Sequence, residues 1–289
     1  MSSLNFQPTI IIGAARSGTN MLRDVLTRLE GFGTWDCDEI NPIWRHGNFH
    51  HPNDQFEADM ARPEVVKFVR KEFSKIARST KADRVVEKSC ANTLRLPFID
   101  QIFPEARYVH IYRDGRDTVA SAKKRWNAPF ELGYTLKKLR YVPLSDFPRI
   151  AGSFGMMRLR QLLGQQKKLA YWGVRLPMSD EELSDYTLDE ICALQWDHSV
   201  RRSLEFFEQH PGQVHSVRYE EFVRAPVDHM LEILRFLGVD HIDREAVVQA
   251  VGPVRTTSIH KYKKELSPDT IERVERIMAE TLRKLDYEV

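Results

Sequence analysis

The 289-residue sequence predicts an α/β fold, a parallel β-sheet flanked by helices on both faces, with an irregular helical insertion. Two observations lead to this fold class. Short β-branched runs, each typical of a buried strand, alternate along the chain with longer segments of helical periodicity. Apolar residues make up 42% of the chain, which is ample for one core of this size. We therefore expect a single domain over residues 1–289, with the least regular part, residues 127–186, as an insertion or lid.

The first elements are a strand, a glycine turn and a helix. Residues 9–12 form the β-branched run, the turn contains Gly13 and Gly18, and the apolar helical face over residues 21–29 ends before Gly31. Glycines allow backbone N–H groups to approach an anion. The start of a helix adds unpaired N–H groups and the positive end of its dipole. This unit predicts a phosphate-binding loop at the start of a P-loop-type sheet.

The loop nevertheless differs from a Walker A motif, which ends in Gly-Lys-Ser/Thr and so provides a lysine and a magnesium ligand. Here Gly18 is followed by Thr19 and Asn20, and the basic residue of the loop is Arg16. We therefore predict a loop that binds a phosphate, with a cation over the transferred group and without a metal ion. A P-loop nucleotide kinase or NTPase is the alternative, and so is a turn whose glycines bind nothing.

Proline residues and the alternation of apolar and polar side chains indicate the next elements. Residues 32–62 are polar, aromatic and proline-containing, which predicts loops. Pro63 then opens a helix, because proline is favoured at the first helical position. Residues 84–87 predict a short strand, and residues 107–113 predict a core strand because their apolar and polar side chains alternate. A helical pattern lies between the two strands, over residues 93–103.

The second half of the chain has similar signals. A helix is expected from about Asp117, after the second core strand. Residues 187–190 fit a capping box, which predicts the start of a long helix. Residues 215–219 predict another strand. Pro226 and the pair at 267–268 start two further helices. Helices thus follow strands throughout, as the predicted parallel sheet requires.

Polar side chains follow four of the predicted strands. Arg16, Glu87, Arg113 and Tyr219 each lie at or just after a strand end. Ligands of parallel α/β sheets bind at the carboxyl ends of the strands. We therefore expect these four side chains to lie near one another.

Arg113 and Ser121 are candidates for a second phosphate site. A guanidinium fork and a hydroxyl on the following helix suit one phosphate group. The alternative is an ion pair of Arg113 with Asp114 or Asp117.

Glu87 is the candidate general base. A base must lie within hydrogen-bonding reach of the attacking group, and a carboxylate at this strand end would lie near Arg16. The alternative is a solvated pair of Glu87 with Lys88.

Several motifs together resemble the sulfotransferases that use 3′-phosphoadenosine 5′-phosphosulfate (PAPS). Their order and spacing match at R-S-G-T (residues 16–19), R-D-G-R-D-T-V-A-S (113–121) and R-Y-E-E-F (218–222). E-K-S at 87–89 resembles the catalytic acid segment of the heparan-sulfate N-sulfotransferase and tyrosylprotein sulfotransferase branches. S-I-H-K-Y-K-K-E-L-S at 258–267 resembles the basic segment that closes over the nucleotide in bacterial members.

The resemblance implies a metal-free, in-line transfer of the sulfuryl group from PAPS to a hydroxyl or amine of a saccharide, tyrosyl or small-molecule acceptor. Backbone N–H groups of Ser17, Gly18, Thr19 and Asn20 would hold the 5′-phosphate. Arg16 would neutralise the leaving oxygen. The product nucleotide would be adenosine 3′,5′-bisphosphate (PAP).

The resemblance also assigns the remaining site residues. Glu87 would take the acceptor proton, Arg113 and Ser121 would hold the 3′-phosphate, and Tyr219 would lie beside the nucleotide. Ser258 and Lys261 would reach the nucleotide from the C-terminal segment. In this interpretation the insertion at 127–186 lies on the acceptor side.

Two departures from the family pattern favour its carbohydrate, tyrosyl and bacterial branches. Many cytosolic members have lysine where Arg16 stands and a catalytic histidine after the second strand. Ser89 and Cys90 also replace the Thr-Pro that often follows Glu-Lys in bacterial members.

Composition excludes several other classes. A net charge of +2 gives no sign of a nucleic-acid-binding tail, and three scattered cysteines do not form a disulfide framework or a zinc site. The histidines at 46, 50 and 51 lack a carboxylate at helical spacing, so no metal is expected. No apolar run approaches the ~18 residues of a membrane span, and a reducing, cytoplasmic location is expected. The acceptor and the oligomeric state are not encoded in any motif that we find.

Overall fold

The structure is a computed structural model that describes residues 4–126, 140–142, 173–254 and 258–289. Five strands form one sheet in which every pairing is parallel, in the order β2-β3-β1-β4-β5. The predicted α/β fold is therefore confirmed. The strands are β1 (Gln7–Ile12), β2 (Phe32–Gly33), β3 (Arg84–Lys88), β4 (Arg107–Tyr112) and β5 (Val214–Arg218).

The α-helices of the described residues are numbered here in chain order. They are α1 (Thr19–Leu26), α2 (Asn41–Trp44), α3 (Pro63–Thr80), α4 (Leu96–Ile102), α5 (Gly115–Trp126), α6 (Asp180–Leu183), α7 (Leu188–Gln209), α8 (Tyr219–Phe222), α9 (Pro226–Phe236), α10 (Arg244–Val251), α11 (Tyr262–Glu265) and α12 (Pro268–Lys284). Single 3₁₀ turns cover Ala58–Met60, Cys90–Leu94 and Pro211–Gln213.

The local start signals specify the longer helices. Pro63 and Pro268 lie in the first turns of α3 and α12, and Thr187 and Glu190 form the predicted capping box of α7. Helix α5 begins at Gly115, before the expected Asp117. Asp114 explains the difference, because its carboxylate accepts from the Arg116 N–H at 2.9 Å and so caps the helix two residues earlier.

Three regions differ from the sequence-based expectation. Residues 32–62 are not all loop, since they contain β2 and α2, and Trp44 of α2 is fully buried. Helix α10 was not predicted. Of the expected insertion at 127–186, residues 127–139 and 143–172 lie outside the described residues, and its last part contains α6.

Helices pack on both faces of the sheet because successive side chains of a strand point to opposite sides. Ile11 of β1 contributes to the cluster formed with α1, α9 and α10, whereas Ile10 and Ile12 contribute to the cluster formed with α3 and α4. A third cluster joins α5, α7 and α12 around Trp196 and Met278. None of the described helices has the length and apolarity needed to cross a membrane.

Candidate active site

The loop after β1 has the backbone of an anion-binding turn. Gly18 has φ +95°, and Arg16 has φ +71°, which is unusual for a residue with a side chain. A Cβ at Gly18 would lie 2.7 Å from the Tyr219 ring, so only glycine fits beneath this ring. Helix α1 starts at Thr19, and its first N–H groups have no partner within the helix. Arg16 and Asn20 are exposed, so an anion has access to this helix start.

Ser17 has a different environment from the other loop residues. Its backbone N–H donates to the Ala14 carbonyl at 3.2 Å, and its side chain is fully buried. Its hydroxyl has no hydrogen-bond partner among the described residues. In this conformation Ser17 shapes the turn, while the N–H groups of Thr19 and Asn20 are the ones at the open helix start.

Arg16 joins the two predicted phosphate segments. Its Nε donates to the Ser121 hydroxyl at 3.0 Å, and its carbonyl accepts from Arg113 Nη1 at 3.1 Å. Partial burial lowers the pKa of the Arg16 guanidinium, and the charges of Arg125 and Arg113 lower it further. An arginine remains cationic under such conditions. Positive charge is therefore concentrated where the loops after β1 and β4 meet.

Arg113 is almost fully buried and makes further contacts on the same side. Its Nη2 donates to the Ser258 carbonyl, and its guanidinium carbon lies 4.5 Å from the centre of the Tyr219 ring. The carboxylate of Asp117 lies 3.5 Å away, so that ion pair forms as well, whereas Asp114 pairs with Arg116 at 2.8 Å. Arg113 thus connects the ends of β4 and β5 with the C-terminal segment.

Asp117 fixes the C-terminal segment against the site. Its two carboxylate oxygens accept from the backbone N–H groups of His260 at 2.8 Å and Tyr262 at 3.0 Å. The segment that contains Ser258 and Lys261 is therefore placed over the start of α5. Within the described parts of the chain, the Lys261 ammonium forms no ion pair.

Glu87 lies on β3, but inside the core. Only 1% of its surface is exposed, and its oxygens accept from the Ser89 hydroxyl at 2.6 Å and the Asn92 amide at 2.5 Å. Burial raises the pKa of its carboxyl to about 7, although Ser89, the nearby Trp44 indole and Lys88 partly offset this shift. The Trp44 Nε1 itself has no hydrogen-bond partner among the described residues. The Glu87 carboxylate is therefore enclosed in this structure, and both of its oxygens are hydrogen-bonded to neighbouring side chains.

A second carboxylate, Glu39, was missed by the sequence analysis. Its Oε1 accepts from Lys88 Nζ at 3.3 Å and from the Cys90 backbone N–H at 3.3 Å. The side chain of Glu39 is 20% exposed, whereas that of its partner Lys88 is only 3% exposed. Lys88 therefore pairs with Glu39 and not with Glu87. A lysine at the end of a buried strand requires a counter-charge, and this was the signal in the sequence that pointed to such a residue.

Cys90 connects this pair with the phosphate loop. Burial raises the pKa of the Cys90 thiol to about 12, so the thiol stays protonated, and the Thr19 hydroxyl beside it partly offsets this shift. Burial lowers the pKa of the Lys88 ammonium, but the carboxylates of Glu39 and Asp38 raise it to above its usual value. Lys88 therefore provides a second fixed positive charge at this edge.

The histidines near residue 50 have structural contacts. The His46 ring lies 3.8 Å from the ring of Phe68, and His51 packs edge-on against Phe56. No group of three or more potential metal-binding side chains is found within the described residues.

Sequence comparison finds one matching protein family. A family model described as "Sulfotransferase family" matches residues 8–147 and 156–243. No curated protein sequence matches this chain.

Solved structures also match over nearly the whole chain. A sulfotransferase domain from the curacin biosynthetic pathway matches with a TM-score of 0.59 and 13% identity, over 100% of both chains. One from the olefin synthase of Synechococcus PCC 7002 matches with a TM-score of 0.57 and 15% identity, over 100% of this chain and 98% of the other. Mouse sulfotransferase SULT7A1, complexed with PAP, matches with a TM-score of 0.52 and 14% identity, over 96% and 85%. At these identities, the matches show a common fold.

Proposed function

Because this chain belongs to the sulfotransferase family, we propose that it transfers the sulfuryl group of PAPS to a hydroxyl or amine of an acceptor. The proposal rests on one observation: Arg16 connects the two segments that were predicted to bind phosphate groups. Arg16 donates to Ser121 and accepts from Arg113, so the loops after β1 and β4 form one cationic surface. A nucleotide with phosphates at both its 5′ and 3′ positions fits a surface with two anion sites.

The proposed donor contacts follow the two loops. The helix start at Thr19 and Asn20 binds the 5′-phosphate, together with the Gly18 N–H. Arg113 and Ser121 bind the 3′-phosphate, with Tyr219 packed against Arg113. The match to a mouse structure in complex with PAP supports this choice of nucleotide.

In the proposed reaction, the acceptor oxygen or nitrogen forms a bond to sulfur as the bond between sulfur and the bridging phosphate oxygen breaks. The acceptor proton moves to a carboxylate, and the electron pair of the broken bond stays on the departing phosphate. Arg16 and Lys88 stabilise that negative charge, because fixed cations at the point where charge develops lower the barrier. This arrangement assigns the chemistry to side chains without a metal ion.

We propose Glu39 as the group that takes the proton. Glu39 is partly exposed and is held by Lys88 and Cys90, and Cys90 lies beside Thr19 of the phosphate loop. Glu87 was expected to have this role, but its oxygens are enclosed and are hydrogen-bonded to Ser89 and Asn92. A general base must reach the proton it removes, which favours Glu39. The acceptor is proposed only by class, as a saccharide, tyrosyl or small-molecule hydroxyl or amine.

The donor assignment is tested by thermal unfolding with PAP, ATP or ADP, each with Mg²⁺ and with EDTA. A ligand at ~100 times its Kd stabilises the folded state by ~2.7 kcal/mol. We expect PAP to raise the unfolding temperature equally with and without EDTA. Stabilisation by ATP with Mg²⁺ and none by PAP would favour the kinase or NTPase alternative.

The base assignment is tested by comparing Glu39→Gln with Glu87→Gln. We expect Glu39→Gln to lower kcat by roughly 10²–10⁴-fold, the usual contribution of a general base, without weakening PAP binding. Turnover is followed with radiolabelled PAPS and a panel of sugars, tyrosyl peptides, phenols and amines. Full turnover by Glu39→Gln, with loss in Glu87→Gln, would return the role to Glu87.

A further inference from the structure

Glu87 is an unusual residue for the core, since a buried carboxylate is costly unless its hydrogen bonds are satisfied. It pairs in register with Ile10 of β1, in the interior of the sheet. Both of its oxygens accept hydrogen bonds, from Ser89 at 2.6 Å and from Asn92 at 2.5 Å. The position is thus supported by specific contacts, and these contacts lead toward the active-site edge.

The contact through Ser89 extends to the segment that contains Glu39. A hydroxyl has one proton to donate, and Ser89 donates it to Glu87. The same oxygen accepts from the backbone N–H of Ile40 at 3.3 Å, and Ile40 follows Glu39 directly. The three groups therefore form a chain of fixed polarity, from the Ile40 amide through the Ser89 hydroxyl to the Glu87 carboxylate. Ser89 and Ile40 are each 1% exposed, so water does not compete for these bonds.

The residues on either side of Ser89, Lys88 and Cys90, hold the Glu39 side chain. Lys88 Nζ and the Cys90 N–H both donate to Glu39 Oε1. Ser89 is extended, with φ −129° and ψ +128°, so neighbouring side chains point to opposite sides as in a strand. The Lys88 ammonium and the Cys90 backbone N–H thus hold the Glu39 carboxylate, while the Ser89 hydroxyl holds the backbone N–H of Ile40 next to it. A displacement of Ser89 would change the direction of Glu39.

We propose that Glu87 is a positioning residue, which orients the Ser89 hydroxyl so that Ser89 fixes the backbone at Ile40 and thereby aims the carboxylate of Glu39. This inference rests on the proposed role of Glu39 as the base. It gives the buried carboxylate a function without direct contact with the acceptor.

The main test uses Ser89→Ala and Ser89→Thr, because these changes leave the charge of the site unaltered. Alanine removes the bridging hydroxyl and threonine keeps it. Thr93→Ala is the matched control, since Thr93 is an equally buried hydroxyl in the same turn. Thr93 donates to the Cys90 carbonyl at 2.9 Å, whereas the described hydrogen bonds of Glu87 come from Ser89 and Asn92. A merely structural role of Ser89 would make Ser89→Ala and Thr93→Ala behave alike.

The first readout needs no acceptor. Protein labelled with ¹³C at glutamate carboxyls gives a Glu39 resonance, identified by its loss in Glu39→Gln. We expect this resonance to shift in Ser89→Ala and Glu87→Gln, and to stay in place in Ser89→Thr and Thr93→Ala. An unchanged resonance in Ser89→Ala would overturn the proposal.

The second readout is the release of PAP and sulfate from PAPS with water as the acceptor. We expect Ser89→Ala to lower kcat by roughly 10- to 100-fold, as for a misplaced catalytic group, without changing PAP affinity. In a Glu39→Gln background the same substitution should have no further effect. Independent losses that multiply in the double variant would mean that residue 89 does not act through Glu39.

The two proposals fail in different ways. If Glu39→Gln keeps wild-type turnover, the base assignment is wrong whatever the Ser89 variants do. If Glu39→Gln is inactive while Ser89→Ala matches wild type in both readouts, only the positioning role is wrong. If PAP does not stabilise the wild-type protein, the donor assignment is wrong, and the Glu39 resonance in Ser89→Ala still decides the positioning role.

Discussion

Replacing Arg113 with lysine should weaken the recognition of a 3′-phosphate by the site. The guanidinium of Arg113 donates to two carbonyl groups, those of Arg16 and Ser258, and packs against the Tyr219 ring. Lysine keeps the positive charge beside Asp117, which prevents an unpaired buried carboxylate, but it lacks the planar fork. The substitution therefore separates the geometry of the cation from its charge.

The expected magnitude follows from one lost charged hydrogen bond to the phosphate. Such a bond contributes ~1.5–3 kcal/mol, which is roughly a 10- to 150-fold increase in the Kd for PAP at 1.36 kcal/mol per tenfold change. Adenosine 5′-phosphate has no 3′-phosphate, and we expect its Kd to change far less. Isothermal titration calorimetry with both nucleotides gives the ratio directly.

Arg116→Lys is the matched control for this experiment. Its side chain is as buried as that of Arg113, at 7% exposed, and it pairs with Asp114 and Glu275 instead of facing the loop. Both variants should lose stability, but only Arg113→Lys should change the ratio of the two dissociation constants. An unchanged ratio in Arg113→Lys would refute the assignment of Arg113 to the 3′-phosphate.

Two further predictions concern the loop and the buried carboxylate. Gly18→Ala should abolish the stabilisation by PAP in thermal unfolding, because φ is +95° and the new Cβ would lie 2.7 Å from Tyr219. Gly252→Ala is the control: it is strained at φ +59°, but no described atom lies within 4 Å of the new Cβ, so PAP should still stabilise this variant. Stabilisation of Gly18→Ala by PAP would contradict the proposed approach of the phosphate to the loop backbone. Burial raises the pKa of Glu87 from 4.5 to about 7, so the folded state holds a proton that the unfolded state has lost. The free energy of unfolding, measured by denaturant titration, should therefore fall by up to about 3 kcal/mol as the pH rises from the pKa of Glu87 in the unfolded state, 4.5, to its pKa in the folded state, about 7. Glu87→Gln should remove this part of the pH dependence, and an identical slope in both proteins would show that Glu87 is not its source.

The fold was predictable because its signals are local. A β-branched run, a proline in the first turn or a capping box is complete within a few residues, so β1, α3 and α7 could be located from sequence alone. Helix α10 has only eight residues, and its start signal is the single Asp243 side chain, which accepts from the Ala246 N–H. Such a short helix depends on packing, here of Val247 against the sheet cluster, and packing is not visible in a local pattern.

The site was predictable only where its residues belong to spaced motifs. Arg16, Arg113 and Ser121 were expected together, and the structure brings them into contact. Glu39 has no motif, and its partners Lys88 and Cys90 lie 49 and 51 residues further along the chain. The sequence also gave no means to distinguish a carboxylate beside the loop from one beneath it. Glu87 was therefore expected at the mouth of the sheet, whereas its side chain points into the core.

The hydrogen bonds of Asp117 to the backbone of the C-terminal segment affect which substitutions this segment tolerates. Asp117 binds the N–H of His260, and Arg113 binds the C=O of Ser258, so both contacts use the main chain. Every amino acid supplies the carbonyl, and every amino acid except proline supplies the N–H. Libraries randomised at positions 258 and 260 should therefore retain the docked segment. At position 260 we expect depletion of proline, which lacks the N–H, and of β-branched residues, because φ is +55° there. These two positions are a place where side-chain chemistry beside the nucleotide site can be redesigned while its frame stays constant.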